Sequence, residues 1–107
     1  MGKRSSLKEL YKLTMKLQVP REILYQKAKQ FFIGKGYLIE RERTPTFLFF
    51  MGEEGKWRIQ LREGKRATKI ELTFETFFSR LKKEQEEKIQ KDLANFIAFI
   101  QNLYNNN

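Results

Sequence analysis

The strongest structural signal in this chain is a strict alternation of apolar and polar residues from Tyr11 to Val19, which ends at Pro20. Apolar side chains occupy the odd-numbered positions and polar side chains occupy the even-numbered ones. A period of two is typical of a β-strand with one face on a core and the other facing outward. The pattern therefore predicts an opening strand that directs Lys12 and Lys16 away from the core.

Two segments have the apolar spacing of amphipathic helices. The first is predicted from about Pro20 to about Lys35 and the second from roughly Ser79 to Tyr104. Proline is favoured in the first turn of a helix, and glycines such as Gly34 and Gly36 are typical of a helix end. The residues expected to face the core are Ile23, Leu24, Ala28, Phe31 and Phe32 in the first helix, and Ile89, Leu93, Phe96, Ile97, Ile100, Leu103 and Tyr104 in the second.

Four short segments between these helices have the composition of strands joined by turns. They are Tyr37–Arg43, Thr46–Met51, Lys56–Arg62 and Thr68–Phe74. Short connections predict an antiparallel meander. The element order is then β-α-β-β-β-β-α. The simplest burial scheme is an α+β fold, a five-stranded antiparallel sheet with both helices, including the long C-terminal one, on one face. We expect a single domain over 1–107, with a basic tail at 1–8 and a frayed end at 105–107.

The formal charge of +9 is unevenly distributed along the sequence. Residues 1–43 contain eleven basic and four acidic side chains, whereas the remainder is close to balanced. Such an excess favours polyanionic partners, either nucleic acid or an acidic membrane or protein surface. The alternative is that the charge serves only solubility.

The side chains that most enzymes use are scarce. The chain contains no histidine and no cysteine, so a Ser-His triad and a His/Cys zinc site are both excluded. We expect no enzymatic activity, no metal site and no cofactor. The lack of cysteine suits a reducing compartment, and no apolar run approaches the roughly 20 residues of a membrane span. These features predict a cytoplasmic location.

The outward face of the sheet is the most informative surface. Alternation places on it the basic residues Lys12, Lys16, Arg58, Arg62 and Lys69. The third strand is apolar on both faces, so it contributes either Phe47, Phe49 and Met51 or Leu48 and Phe50. Cations around aromatic rings are typical of single-strand binders, in which cations contact phosphates and rings stack on bases. Alternatively, a second subunit covers these apolar residues, or the sheet curls so that the third strand is buried on both sides.

The element order, with Val19-Pro20-x-Glu22 between the first strand and first helix, resembles two known folds. One is the helix-grip fold of the Bet v 1/START-like superfamily, whose members often carry an Ala-Pro-x-Glu turn there, followed by an aromatic residue that Tyr25 matches. That resemblance implies a ligand cavity between the sheet and the C-terminal helix. The other is the TATA-binding-protein-like fold, whose curved sheet has an open face that holds nucleic acid.

Three functional hypotheses follow. The preferred one is a small non-enzymatic binding module whose basic sheet face and N-terminal segment contact nucleic acid. Lys12, Lys16, Arg58, Arg62 and Lys69 would neutralise phosphates, and Phe47 or Phe49 would stack on bases. The first alternative is a START-like binder of a small apolar ligand, lined by Trp57, Phe74, Phe96 and Ile100. The second is a protein-interaction module or a homodimer that pairs through the third strand.

Overall fold

The computed structural model describes residues 7–105. It contains five strands and two helices. They are β1 (Lys8–Leu17), α1 (Arg21–Gly34), β2 (Leu38–Arg43), β3 (Phe47–Met51), β4 (Gly55–Glu63), β5 (Thr68–Thr76) and α2 (Lys83–Asn105). Most of the tail predicted at residues 1–8 and most of the frayed end predicted at 105–107 lie outside the described residues.

All five strands form one antiparallel sheet in the order β1-β5-β4-β3-β2. The predicted α+β class, five-stranded antiparallel sheet and long C-terminal helix are confirmed, and both helices pack on one face. The first strand therefore pairs with the last one. Because β3 lies between β2 and β4, its backbone is paired on both sides. A homodimer through β3 would therefore have to form through its outward side chains and not through its backbone.

The largest difference from the predicted boundaries is the start of α2, which begins at Lys83 and not at Ser79. Residues 77–82 form a loop because β5 continues to Thr76, whose hydroxyl donates to the carbonyl oxygen of Glu54 at 2.7 Å. The side-chain oxygen of Gln85 then accepts the Lys82 backbone N–H at 2.9 Å. This is one half of a capping box, and it fixes where the helix starts.

Aromatic rings in contact fill the space between the sheet and the helices. The ring centroids of Trp57 and Phe74 are 4.7 Å apart, and Phe32 lies 5.2 Å from Trp57 and 5.0 Å from Phe96. Trp57, Phe74, Phe96 and Ile100 are all fully buried. These four residues, predicted to line an apolar ligand pocket, all belong to the hydrophobic core.

The buried face of α1 is rotated slightly from the predicted one. Ile23 is 46% exposed, whereas Tyr25 is 1% exposed. Tyr25 can be buried without losing a hydrogen bond because its hydroxyl donates to the carboxylate of Glu42 at the edge of the sheet. This hydrogen bond ties α1 to the end of β2.

Candidate nucleic-acid interface

The register of the sheet brings the predicted cations onto one outer face. Lys16 on β1 lies opposite Lys69 on β5, and Lys69 lies opposite Arg62 on β4. Neighbouring strands are about 4.8 Å apart, so these three side chains form a continuous row about 10 Å long. We call Lys16, Lys69 and Arg62 the cation row.

The cation row is electrostatically unfavourable for the fold itself, because like charges directly opposite each other destabilise a sheet. The Lys69 ammonium lies 3.5 Å from the Glu71 carboxylate, which partly neutralises its charge. Lys16 and Arg62 are exposed and have no ion pair with any residue that the structure describes. The row therefore presents an unbalanced positive charge to solvent.

The two phenylalanines predicted to stack on bases have different environments. Phe49 is 7% exposed, because three cations cover its ring. The distances to the ring centroid are 5.6 Å from the Arg41 guanidinium carbon, 5.0 Å from the Lys56 ammonium and 5.3 Å from the Arg58 guanidinium carbon. Cation–π contacts thus cover the ring of Phe49 and close it to a base. Phe47 is only half-buried and remains available.

Arg58 and Lys12 contribute less to the interface than predicted. The Arg58 guanidinium lies 3.3 Å from the Glu75 carboxylate as well as against Phe49, so packing and ion pairing within the fold account for it. Lys12 is exposed opposite Thr73. It lies four residues from Lys16 along β1, which is about 13 Å in a strand. Lys12 therefore shares the face but lies outside the cation row.

Further basic residues, which sequence reasoning did not select, gather at the same end of the sheet. Antiparallel strands bring the ends of β1, β2 and β4 together with the starts of β5 and α1. Two open depressions, of about 720 Å³ and about 610 Å³, lie there, and Arg62 lines both. We call this region the basic end. Its cations are Lys16, Arg21, Arg41, Arg43, Arg62, Lys65, Arg66 and Lys69.

The two carboxylates among the lining residues of the basic end are already matched by positive groups or donors. Glu63 lies 3.4 Å from the Arg21 guanidinium. Glu42 accepts the Tyr25 hydroxyl and lies 3.1 Å from the Lys29 ammonium. These two hydrogen-bond donors hold the pKa of Glu42 below its ordinary value, so it stays ionised and paired. Neither carboxylate neutralises the cation row.

A second polar cluster lies at the opposite end, between α2 and the β3–β4 turn. The Tyr37 hydroxyl donates to the Asp92 carboxylate at 2.5 Å, and the Lys88 ammonium lies 3.4 Å from both the Tyr37 oxygen and the Glu54 carboxylate. Burial and the hydrogen bond to Asp92 raise the pKa of Tyr37 to about 12. Each charged group in this cluster has a partner. The cluster is therefore explained by its structural role, which is to hold α2 against the sheet.

No protein-family model matches this chain, and no curated protein matches it significantly. Within residues 7–105, no helix is long and apolar enough to cross a membrane. The same part of the chain holds no group of three or more acidic, histidine or cysteine residues arranged to bind a metal ion.

Proposed function

We propose that this protein binds nucleic acid through the basic end of its outer sheet face. The observation that carries the proposal is the cation row, in which Lys16, Lys69 and Arg62 are cross-strand neighbours. A phosphate backbone bound along the row would turn a repulsive arrangement into a favourable one. Lys12 and Arg58 lie on the same face and have smaller roles in this proposal, whereas Phe49 has none because its ring is covered.

The residues around the cation row favour binding of a nucleic acid over binding of a small, compact anion. Cations extend beyond the row through Arg43 on the β2 side and, past the strand ends, through Lys65 and Arg66 in the β4–β5 turn. The start of α1, the positive end of its helix dipole, adds to the field at this end. A surface of this length suits a polymer of phosphates, each neutralised by a different side chain.

The test compares two variants with the same loss of charge. The first is Lys16→Gln/Arg62→Gln/Lys69→Gln. The second, a control on α2 and the residue before it, is Lys82→Gln/Lys83→Gln/Lys91→Gln, in which all three side chains are exposed. Affinity for a fluorescein-labelled twelve-nucleotide single strand is measured by anisotropy across a salt series. Circular dichroism and thermal unfolding verify that both variants are folded.

We expect the row variant to bind at least about tenfold more weakly than the control variant at low salt. Each lost contact with a single strand reduces the slope of log affinity against log salt by about 0.7, so losing three reduces it by roughly 2. The control variant should keep nearly the full slope. Equal losses in the two variants would mean that only net charge matters, and the proposed site would then be wrong.

A further inference from the structure

Phe47 lines the larger of the two depressions at the basic end, about 720 Å³ in volume. The depression forms because β3 begins at Phe47, opposite Gln60, whereas β4 continues to Glu63. The β2–β3 turn and Arg21 at the start of α1 also line it. Its volume lies within the range of about 300–1,000 Å³ that is usual for small-molecule sites.

The ring of Phe47 is accessible to a ligand, whereas the ring of Phe49 is covered. The Arg41 guanidinium carbon lies 5.9 Å from the centroid of the Phe47 ring, and the Phe49 ring lies 6.1 Å away at an angle of 34°. Phe49, by comparison, is covered by three cations. A flat ligand can therefore stack on Phe47 or on the guanidinium plane of Arg41, and both surfaces are used to hold bases.

Gln60 provides a neutral polar group directly across from Phe47 in the strand register. Its side chain is exposed and makes no hydrogen bond within residues 7–105. A glutamine amide has both a donor and an acceptor and can pair with the edge of a base. Thr46, which also lines the depression, already donates its hydroxyl to the Arg43 carbonyl oxygen.

The depression opens onto the cation row, because Arg62 lines it and also belongs to the row. A chain that places one base against Phe47 can therefore continue across Arg62, Lys69 and Lys16 with its phosphates on the cations. A base inside a duplex is stacked on both sides and paired, so it cannot reach a ring in a depression. Only an unpaired base fits this arrangement.

We infer that the Phe47 depression holds one unpaired base of a single-stranded nucleic acid, with Gln60 facing the edge of that base. This inference rests on the proposed function and adds to it a preference for single strands over duplexes. The cation row supplies binding to either form, and the depression supplies the discrimination between them.

The experiment uses the variant Phe47→Leu, which keeps an apolar side chain but removes the aromatic face. Phe77→Leu, at an exposed phenylalanine in the loop after β5, is the matched control. Affinities are measured for a labelled twelve-nucleotide single strand and for a duplex of the same length at one ionic strength. Loss of one base–aromatic stack should weaken single-strand binding by roughly 5- to 150-fold. Duplex binding should be unchanged.

The outcomes separate this inference from the proposed function. If the wild type does not prefer single strands, or Phe47→Leu binds as the wild type does, the base site is wrong, while a weakened row variant would still support the basic end. If the row variant binds as tightly as its α2 control, the proposed function is also wrong. Gln60→Ala adds a second readout. It should reduce the differences in affinity among single strands of adenine, cytosine and thymine, and unchanged differences would exclude Gln60 as a base contact.

Discussion

Phe47 and Phe49 lie on the same face of β3, but cations cover the ring of Phe49 and leave the ring of Phe47 accessible. The alternation of the sequence predicts correctly which face the basic side chains occupy. It does not predict that Arg41, Lys56 and Arg58 cover Phe49, because those cations come from β2 and β4 and meet the ring only through the sheet register. The exposure of a ring on an open sheet thus depends on its cross-strand neighbours, which no single segment reveals.

Tyr37 gives a prediction for stability. Tyr37→Phe removes the donor to the buried Asp92 carboxylate. We expect a loss of about 1–3 kcal/mol in the free energy of unfolding, because the acceptor is left without this partner. Urea denaturation at pH 8 measures it. Tyr11→Phe is the control, since Tyr11 is half-buried and makes no side-chain hydrogen bond with the described residues, and it should change stability by no more than about 0.5 kcal/mol.

The raised pKa of Tyr37 also predicts a pH dependence. The folded protein holds this proton up to a pKa of about 12, whereas the unfolded chain releases it near 10. The stabilisation is therefore fully present below about pH 10 and is lost as the pH rises towards 12. The stability difference between wild type and Tyr37→Phe should shrink between pH 8 and pH 11.5. A constant difference would contradict the assignment of the raised pKa.

Element boundaries follow the sequence closely except where a tertiary contact sets them. The sequence predicts the start of α2 at about Ser79. The observed start at Lys83 depends instead on Thr76, which bonds to the turn carrying Glu54 and so keeps β5 in the sheet. That turn belongs to another hairpin, so a local pattern could not reveal it. The hydrogen bond from the Lys82 backbone N–H to the Gln85 side chain is, by contrast, local in sequence.

The start of β4 yields a second stability prediction. A Cβ atom on Gly55 would lie 2.8 Å from the Cα of Thr76 and closer still to the Glu75 carbonyl oxygen. Gly55→Ala should therefore destabilise the protein by about 1–3 kcal/mol, because the backbone of β5 has to move. Thermal unfolding measures this loss.

Gly34→Ala is the matched control for the Gly55 substitution. A Cβ atom on Gly34, the last residue of α1, would meet nothing within 4 Å, so no clash opposes the substitution. The expected change is a gain of up to about 1 kcal/mol, since alanine restricts the unfolded chain more than glycine does. Equal effects of the two substitutions would show that the contact with β5 is not what requires glycine at position 55.

The protein has one strongly basic end, whereas the polar cluster around Tyr37 at the opposite end consists of paired groups. The sequence has its positive excess in residues 1–43. The basic end nevertheless contains as many cations from later in the chain, namely Arg62, Lys65, Arg66 and Lys69. The element order and sheet were predictable because hydrophobic periodicity specifies them. The convergence of charges was not, because it depends on which strand ends become neighbours.

The charge distribution predicts a monomer. Two copies that associated through their outer faces with their basic ends together would bring one cation row against another. Two copies that paired along the free edge of β1 would bring together strands that each carry Lys8, Lys12 and Lys16, and lysines on an edge strand oppose such pairing. Sedimentation equilibrium without nucleic acid should therefore give a monomer at low ionic strength. A dimer that strengthens at low salt would contradict this prediction.

The pairing of β1 with β5 has a consequence for how the protein is made. Lys16 meets Lys69 only after the ribosome has synthesised the last strand of the sheet. The first strand therefore stays unpaired until β5 has been synthesised, while the hairpins of β2 to β5 can form as they emerge. The cation row is consequently complete only once β5 has joined the sheet, so a nascent chain that lacks β5 does not present it.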